Sequence, residues 1–108
     1  MTTFEFSGAR DCFLEARSYS YNDRLALLVQ SWSQGPMAVL TVNLADEPVS
    51  GMRAFLDTNN VPDATSLVER LGIGEDTGIR GKSGYCTYPL YEFDLEKIWK
   101  YTTTGRTE

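Results

Sequence analysis

The residues able to do chemistry in this 108-residue chain are defined first by an absence, because it contains no histidine. That removes the commonest general base, the commonest metal ligand and every Ser-His or Cys-His nucleophile pair. Catalysis would have to rest on carboxylates, lysine, tyrosine or cysteine. Cys86 sits between Tyr85 and Thr87 with no base beside it, which reads as a packed thiol rather than a nucleophile. Cys12 is far from it in sequence, and in a reducing compartment both are expected as free thiols. Glu92 and Asp94 lie on one side of a predicted strand, and a small hydrolase or ligand-binding enzyme using carboxylates would have a concave apolar pocket lined by Asp57, Glu92 or Asp94.

Two further segments imitate binding motifs. Gly72-Ile73-Gly74-Glu75-Asp76-Thr77-Gly78 has one residue too many for a dinucleotide fingerprint. It follows a predicted helix rather than a strand, and it carries two acids where phosphate would sit. It reads as a flexible loop from Gly72 to Gly84. Asp57 with Asn59 and Asn60 lacks the alternating acids and the distal glutamate of a calcium loop, and reads as turn chemistry. No cofactor and no metal site is expected, and the chain reads as a non-enzyme.

Charge is more informative than any motif. From Val42 to Ile79 the acids are Asp46, Glu47, Asp57, Asp63, Glu69, Glu75 and Asp76, against only Arg53 and Arg70. This segment carries the whole net charge of −5, since the rest of the chain balances eight acids with eight bases. Such a patch keeps a small protein soluble, repels nucleic acid and attracts basic protein surfaces. Charge therefore points to a partner with a basic surface and to no direct nucleic-acid contact. The Tyr-rich run Ser83–Phe93 adds large, low-entropy contact groups of the kind enriched at interfaces. The candidate partner-binding residues are Asp46, Glu47, Asp57, Glu69, Glu75 and Asp76 for docking, with Tyr88 and Tyr91 as anchors.

These residues need elements to position them. With 42% hydrophobic and 23% charged residues the composition is that of a globular protein, so one domain spanning 1–108 is expected, with residues 102–108 a frayed tail. No apolar run reaches membrane length and the N-terminus lacks the regions of a signal peptide, which points to the cytoplasm. Phe4–Phe6 reads as a short strand. Arg10–Tyr21 fits a helix, with Cys12, Phe13 and Ala16 on one face, or a strand. Leu25–Trp32 and Met37–Leu44 read as a β-hairpin around Ser33-Gln34-Gly35-Pro36. Arg53–Asp57 is a further strand. Ala64, Leu67, Val68 and Leu71 form a helical stripe that begins near Asn60, Pro62 and Asp63 and stops at Gly72. Tyr85–Phe93 is the last strand, with Pro89 marking an edge or a bulge. Asp94 is placed to cap a terminal helix with Leu95, Ile98 and Trp99 inward. The sum is an α+β domain: an antiparallel sheet of about four to five strands with one or two helices on one face.

Several of these blocks together resemble a known family. They are Leu40-Thr41-Val42-Asn43-Leu44, Ala54-Phe55-Leu56-Asp57-Thr58-Asn59-Asn60, Leu71-Gly72-Ile73-Gly74, Thr77-Gly78 and the run from Ser83 to Phe93. From about Leu25 to Phe93 the chain resembles small uncharacterised proteins of bacterial conjugative elements, plasmids and phages, grouped as a domain of unknown function. The resemblance implies an accessory protein of a mobile element, whose partner would be a host protein or nucleoprotein complex with a basic surface, and brings no catalytic residues. It is also similar in kind to anti-defence factors, such as anti-CRISPR or anti-restriction inhibitors, which occupy basic nucleic-acid-binding surfaces of host effectors. The leading expectation is thus a non-enzymatic protein-binding accessory protein that inhibits a host nucleic-acid-targeting defence complex. The alternatives are the carboxylate-based enzyme or ligand-binding domain, and a structural homodimer made by pairing of sheet edges.

Overall fold

The computed structural model describes residues 2–19, 24–44, 47, 49 and 51–103. Strand β1 (Phe4–Phe6) turns into β2 (Ala9–Ser18) through Ser7 and Gly8, whose φ angles are 52° and 87°. Positive φ at both central residues is the signature of the hairpin turn whose twist matches the strands. The ambiguous segment is a strand and not a helix. Cys12 and Leu14 point inward, while Phe13, Glu15 and Arg17 pair across to the outward positions of the next strand. Strands β3 (Leu25–Ser31) and β4 (Gly35–Val39) form the expected hairpin. Its turn is held by the Asp11 carboxylate, which accepts from Ser31 Oγ at 2.6 Å and from the Ser33 amide at 2.8 Å. The order β1-β2-β3-β4 makes a four-stranded antiparallel meander.

The expected strand Met37–Leu44 divides at Leu40. Beyond it, β5 (Thr41–Val42) leaves the first sheet and pairs with β6 (Arg53–Leu56) in a second one. Helix α1 (Ala64–Leu71) follows, then β7 (Gly74–Ser83), β8 (Cys86–Phe93) and the short helix α2 (Leu95–Trp99). The second sheet has the order β5-β6-β8-β7. The class is α+β, but the strands are spread over two four-stranded antiparallel sheets, more than a single sheet of four or five. No helix among the described residues is long and apolar enough to cross a membrane.

Both helices form where local signals place them. Ala64, Leu67 and Val68 are buried, and Gly72 ends α1 in the left-handed region with its amide bonded to the carbonyls of Val68 and Glu69. The N-cap position is Asp63 rather than Asn60, although its side chain makes no capping bond. Asp94 does cap α2, accepting from the amides of Glu96 and Lys97. Ile98 is fully buried, whereas Leu95 and Trp99 are half-buried. Thr102, at the start of the expected frayed tail, is buried and bridges Leu14, while residues 104–108 lie outside the described set.

Glycine-rich Gly72–Gly84 is not a loop. Residues 74–83 form β7, antiparallel to β8, with a bulge between Asp76 and Arg80 where Pro89 of β8 lies opposite. The bulge lets a central strand tolerate a residue without a donor. Glycine is there for proximity. A Cβ built on Gly81 would stand 2.6 Å from the Phe55 ring and 3.0 Å from Leu44. The main core lies between the two sheets and α1 and holds Leu14, Leu27, Leu40, Leu56, Leu67 and Tyr91. A second cluster of Leu44, Phe55, Tyr88 and Leu90 covers the other face of the second sheet. Its strands β6 and β8 are therefore buried on both faces.

Gly81→Ala should destabilise the fold by about 1–3 kcal/mol, because the added methyl must displace the Phe55 ring inside a packed cluster. Chemical denaturation of the wild type and variant measures this, and an unchanged midpoint would show that the Gly81–Phe55 packing carries no weight.

Candidate binding surface

Five of the described acids gather at one end of the β7–β8 hairpin. Glu75 on β7 and Glu92 on β8 are direct cross-strand partners, so two like charges share one face of the sheet. Such a pairing is unfavourable. Glu92 has relief on its other side, where its cross-strand neighbour Arg53 on β6 reaches it at 3.3 Å. Where β8 ends, Asp94 turns the chain into α2 and Glu96 sits exposed in the first turn. Glu75, Asp76, Glu92, Asp94 and Glu96 thereby line a cleft of about 670 Å³, in which Lys97 is the one base. Phe93 and Leu95 supply its larger apolar side chains. Among the described residues no group has a composition and arrangement able to hold a metal ion.

The proposed docking acids separate into distinct tasks. Glu75 is exposed and Asp76 lies beside it in the cleft wall. Asp76 also closes the bulge, since its carboxylate receives both Arg80 guanidinium nitrogens at 2.9 Å and the Gly78 amide at 2.8 Å. Glu69 on α1 accepts a 2.7 Å bond from the hydroxyl of Tyr91, which braces the helix on the sheet. Asp57 sits in a turn, accepting from the amide and side chain of Asn60. Glu47 accepts from the Lys82 amide at 3.4 Å, near the opposite end of β7. Asp46 lies outside the described residues. Of the acids chosen from sequence, Glu75 and Asp76 reach the cleft. Its other acids come from the part of the chain whose charges balance overall, and only their spatial gathering singles them out.

Neither proposed tyrosine anchor is at the surface. Tyr88 is 7% exposed in the smaller cluster and Tyr91 is 1% exposed in the main core. They cannot anchor a partner because both faces of β8 are covered. Burial and the bond to Glu69 push the Tyr91 phenol well above its ordinary range, so it stays protonated and donates. Tyr85, at the β7–β8 turn, is the tyrosine of this run that is open to solvent. Cys12 is fully buried and its thiol lies against the carbonyls of Phe6 and Ala9, as expected of a small packed hydrophobe. Its thiol is shifted upward, chiefly by burial.

The carboxylates named for the enzyme reading lie in two places. Glu92 and Asp94 line the cleft, whereas Asp57 lies elsewhere. Glu92 is engaged by Arg53 and Asp94 by the amides of α2. Two of the four edge strands are blunted against strand pairing. Edge strand β4 contains Pro36, and edge strand β7 carries a bulge together with Glu75, Asp76, Arg80 and Lys82.

The Asp76 carboxyl is held below its ordinary value of 3.8, first by the hydrogen bond from Arg80 and then by the Gly78 amide. A depressed carboxylate stabilises the fold above its unfolded value, and that contribution is lost as the pH falls through the folded value. The stability of the wild type should therefore decline below about pH 4, with the Asp76 share about 0.5 kcal/mol after screening of this partly exposed pair. Asp76→Asn should flatten that acid limb in denaturation curves taken at successive pH values. An unchanged limb would mean that the bulge lock is dispensable.

No curated protein and no solved structure matches the chain significantly. A family model described as Domain of unknown function (DUF4313) matches residues 13–108, nearly the whole chain, and the protein belongs to that family.

Proposed function

We propose that this chain is a non-enzymatic accessory protein of a mobile element that binds a basic host protein surface, and that the bound target is a nucleic-acid-targeting defence complex. The observation that carries the reading is the like-charged pair Glu75 and Glu92, placed directly opposite each other in a cleft whose lining adds Asp76, Asp94 and Glu96 and the base Lys97, with Arg53 and Arg80 reaching Glu92 and Asp76 from outside that lining. A protein retains repelling carboxylates on a rigid sheet at a cost in stability, and an incoming cation relieves it. A lysine- or arginine-rich surface that normally holds nucleic acid offers that cation. The mobile-element origin and the anti-defence role rest on the resemblance set out above and on this charge arrangement. The docking set is accordingly Glu75, Asp76, Glu92 and Glu96. Asp94 serves chiefly as a helix cap, and Asp57 and Glu69 serve as structural acids.

The reading is tested with the triple variant Glu75→Lys, Glu92→Lys and Glu96→Lys in pull-downs from bacterial host lysate at low and high salt. The wild type should retain a basic nucleoprotein complex at low salt and release it at high salt, as expected of screened charge pairs. The triple variant should lose at least about 10-fold in retention. Equal capture by wild type and variant would refute docking through the cleft. Reversal of Asp63, an exposed acid that does not line the cleft and whose side chain makes no capping bond, serves as the control and should change retention little.

A further inference from the structure

Arg53, Glu92 and Glu75 stand in one row across the second sheet. Arg53 on β6 is the direct cross-strand neighbour of Glu92 on β8, and Glu75 on β7 is its neighbour on the other side. Residues directly opposite one another in antiparallel strands share a face, so one base and two acids lie side by side. Two strand spacings, about 10 Å, separate Arg53 from Glu75, so the guanidinium that reaches Glu92 leaves Glu75 outside ion-pair range. Among the described residues no ion pair reaches Glu75. The row therefore carries one more negative charge than its own base neutralises.

The two arginines that reach the cleft acids are held differently. Arg80 grips Asp76 with both guanidinium nitrogens at 2.9 Å, and Asp76 also accepts from the Gly78 amide. That forked pair is part of the bulge and is the stronger kind of contact. Arg53 reaches Glu92 through one nitrogen at 3.3 Å, with 36% of the Arg53 side chain and 62% of the Glu92 side chain exposed. A single, long, solvated contact of this kind contributes little and is easily exchanged.

We infer that Arg53 is an internal competitor at the docking cleft. It covers Glu92 in the free protein and is displaced by a lysine or arginine of the docking partner, so it sets the affinity below what the acids alone would give. The inference rests on the docking reading of the cleft. A cation placed at the Glu75–Glu92 pair meets two carboxylates where Arg53 meets one, and this difference drives the exchange.

Fluorescence anisotropy of a labelled oligolysine peptide titrated with the full chain at low salt tests this. Arg53→Gln should bind the peptide about 2- to 5-fold more tightly than the wild type, the range set by an exposed ion pair. Arg53→Met keeps the aliphatic stem, so it should show the same gain if glutamine perturbs β6. Arg53→Lys keeps the charge and should stay close to the wild type. Arg10→Gln removes the same charge from an exposed position on β2 and should bind as the wild type does. The gain should also depend on Glu92, so Arg53→Gln added to Glu92→Gln should bind no more tightly than Glu92→Gln alone. Unchanged or weaker binding by Arg53→Gln and Arg53→Met overturns the inference. An equal gain from Arg10→Gln also overturns it, since the effect is then one of net charge, as does a gain that survives without Glu92. Failure of the docking reading has its own signature: the triple reversal at Glu75, Glu92 and Glu96 would bind the peptide as well as the wild type. If the triple reversal loses binding while Arg53→Gln gains none, the cleft docks cations and only the role of Arg53 is refuted. Absence of binding by the wild type and Arg53→Gln alike overturns both.

Discussion

The backbone of Leu40 is the constraint on which the rest of this structure depends. Its amide donates to the carbonyl of Leu27 in the first sheet, and its carbonyl accepts from the amide of Asp57, the residue after β6 of the second. One residue thus belongs to both hydrogen-bond systems, and its side chain is fully buried between them. A bend of this kind is how a strand passes from one packed sheet to another. Thr41 secures the corner, with its hydroxyl accepting from the amide of Leu27 and bonded to the hydroxyl of Tyr19. Because backbone groups buried at such a corner have no water to turn to, both bonds must form together. The two sheets are therefore held together through this joint, and the surfaces they present depend on it.

The consequence of the corner is a second sheet buried on both sides. One face meets the core shared with the first sheet and α1, and the other carries its own cluster around Phe55 and Tyr88. That demands continuous apolar sequence in the middle strands, as in Ala54-Phe55-Leu56 and in the run from Tyr88 to Tyr91. It also demands a glycine where the Phe55 ring approaches β7. The edge strand then has little apolar surface of its own and carries charge instead. The acidic cleft follows from this arrangement, for a sheet edge with no core to face has room for carboxylates. The bulge locked by Asp76 and Arg80 leaves the end that carries Glu75 paired with β8, next to α2.

Local signals were legible in the sequence where one element decides its own form. The β3–β4 hairpin announced itself by apolar runs flanking a Gly-Pro turn. Helix α1 showed its stripe and its terminal glycine, and Asp94 showed itself as a cap. Each of these depends on residues within a few positions of one another. The strand β7 was not legible, because its glycines answer to the ring of Phe55 and to the bulge rather than to any local preference. Nor was the burial of Tyr88 and Tyr91, since alternation along a strand identifies an open face only when one side is wet. The acidic cleft escaped a count of charge along the chain because Glu75, Glu92 and Glu96 come from separate elements, two of them in a region that balances overall.

What the sequence determined by itself was the α+β class, the lack of imidazole chemistry and the acidic bias. Composition and short-range pattern suffice for these, since they depend on which residues are present and on spacing along one element. What the tertiary structure decided was which acids share a surface, which tyrosines are buried, and that Arg53 stands beside Glu92. Those outcomes depend on register and on the corner at Leu40, where hydrogen bonds join residues far apart in the chain, and no local spacing encodes them.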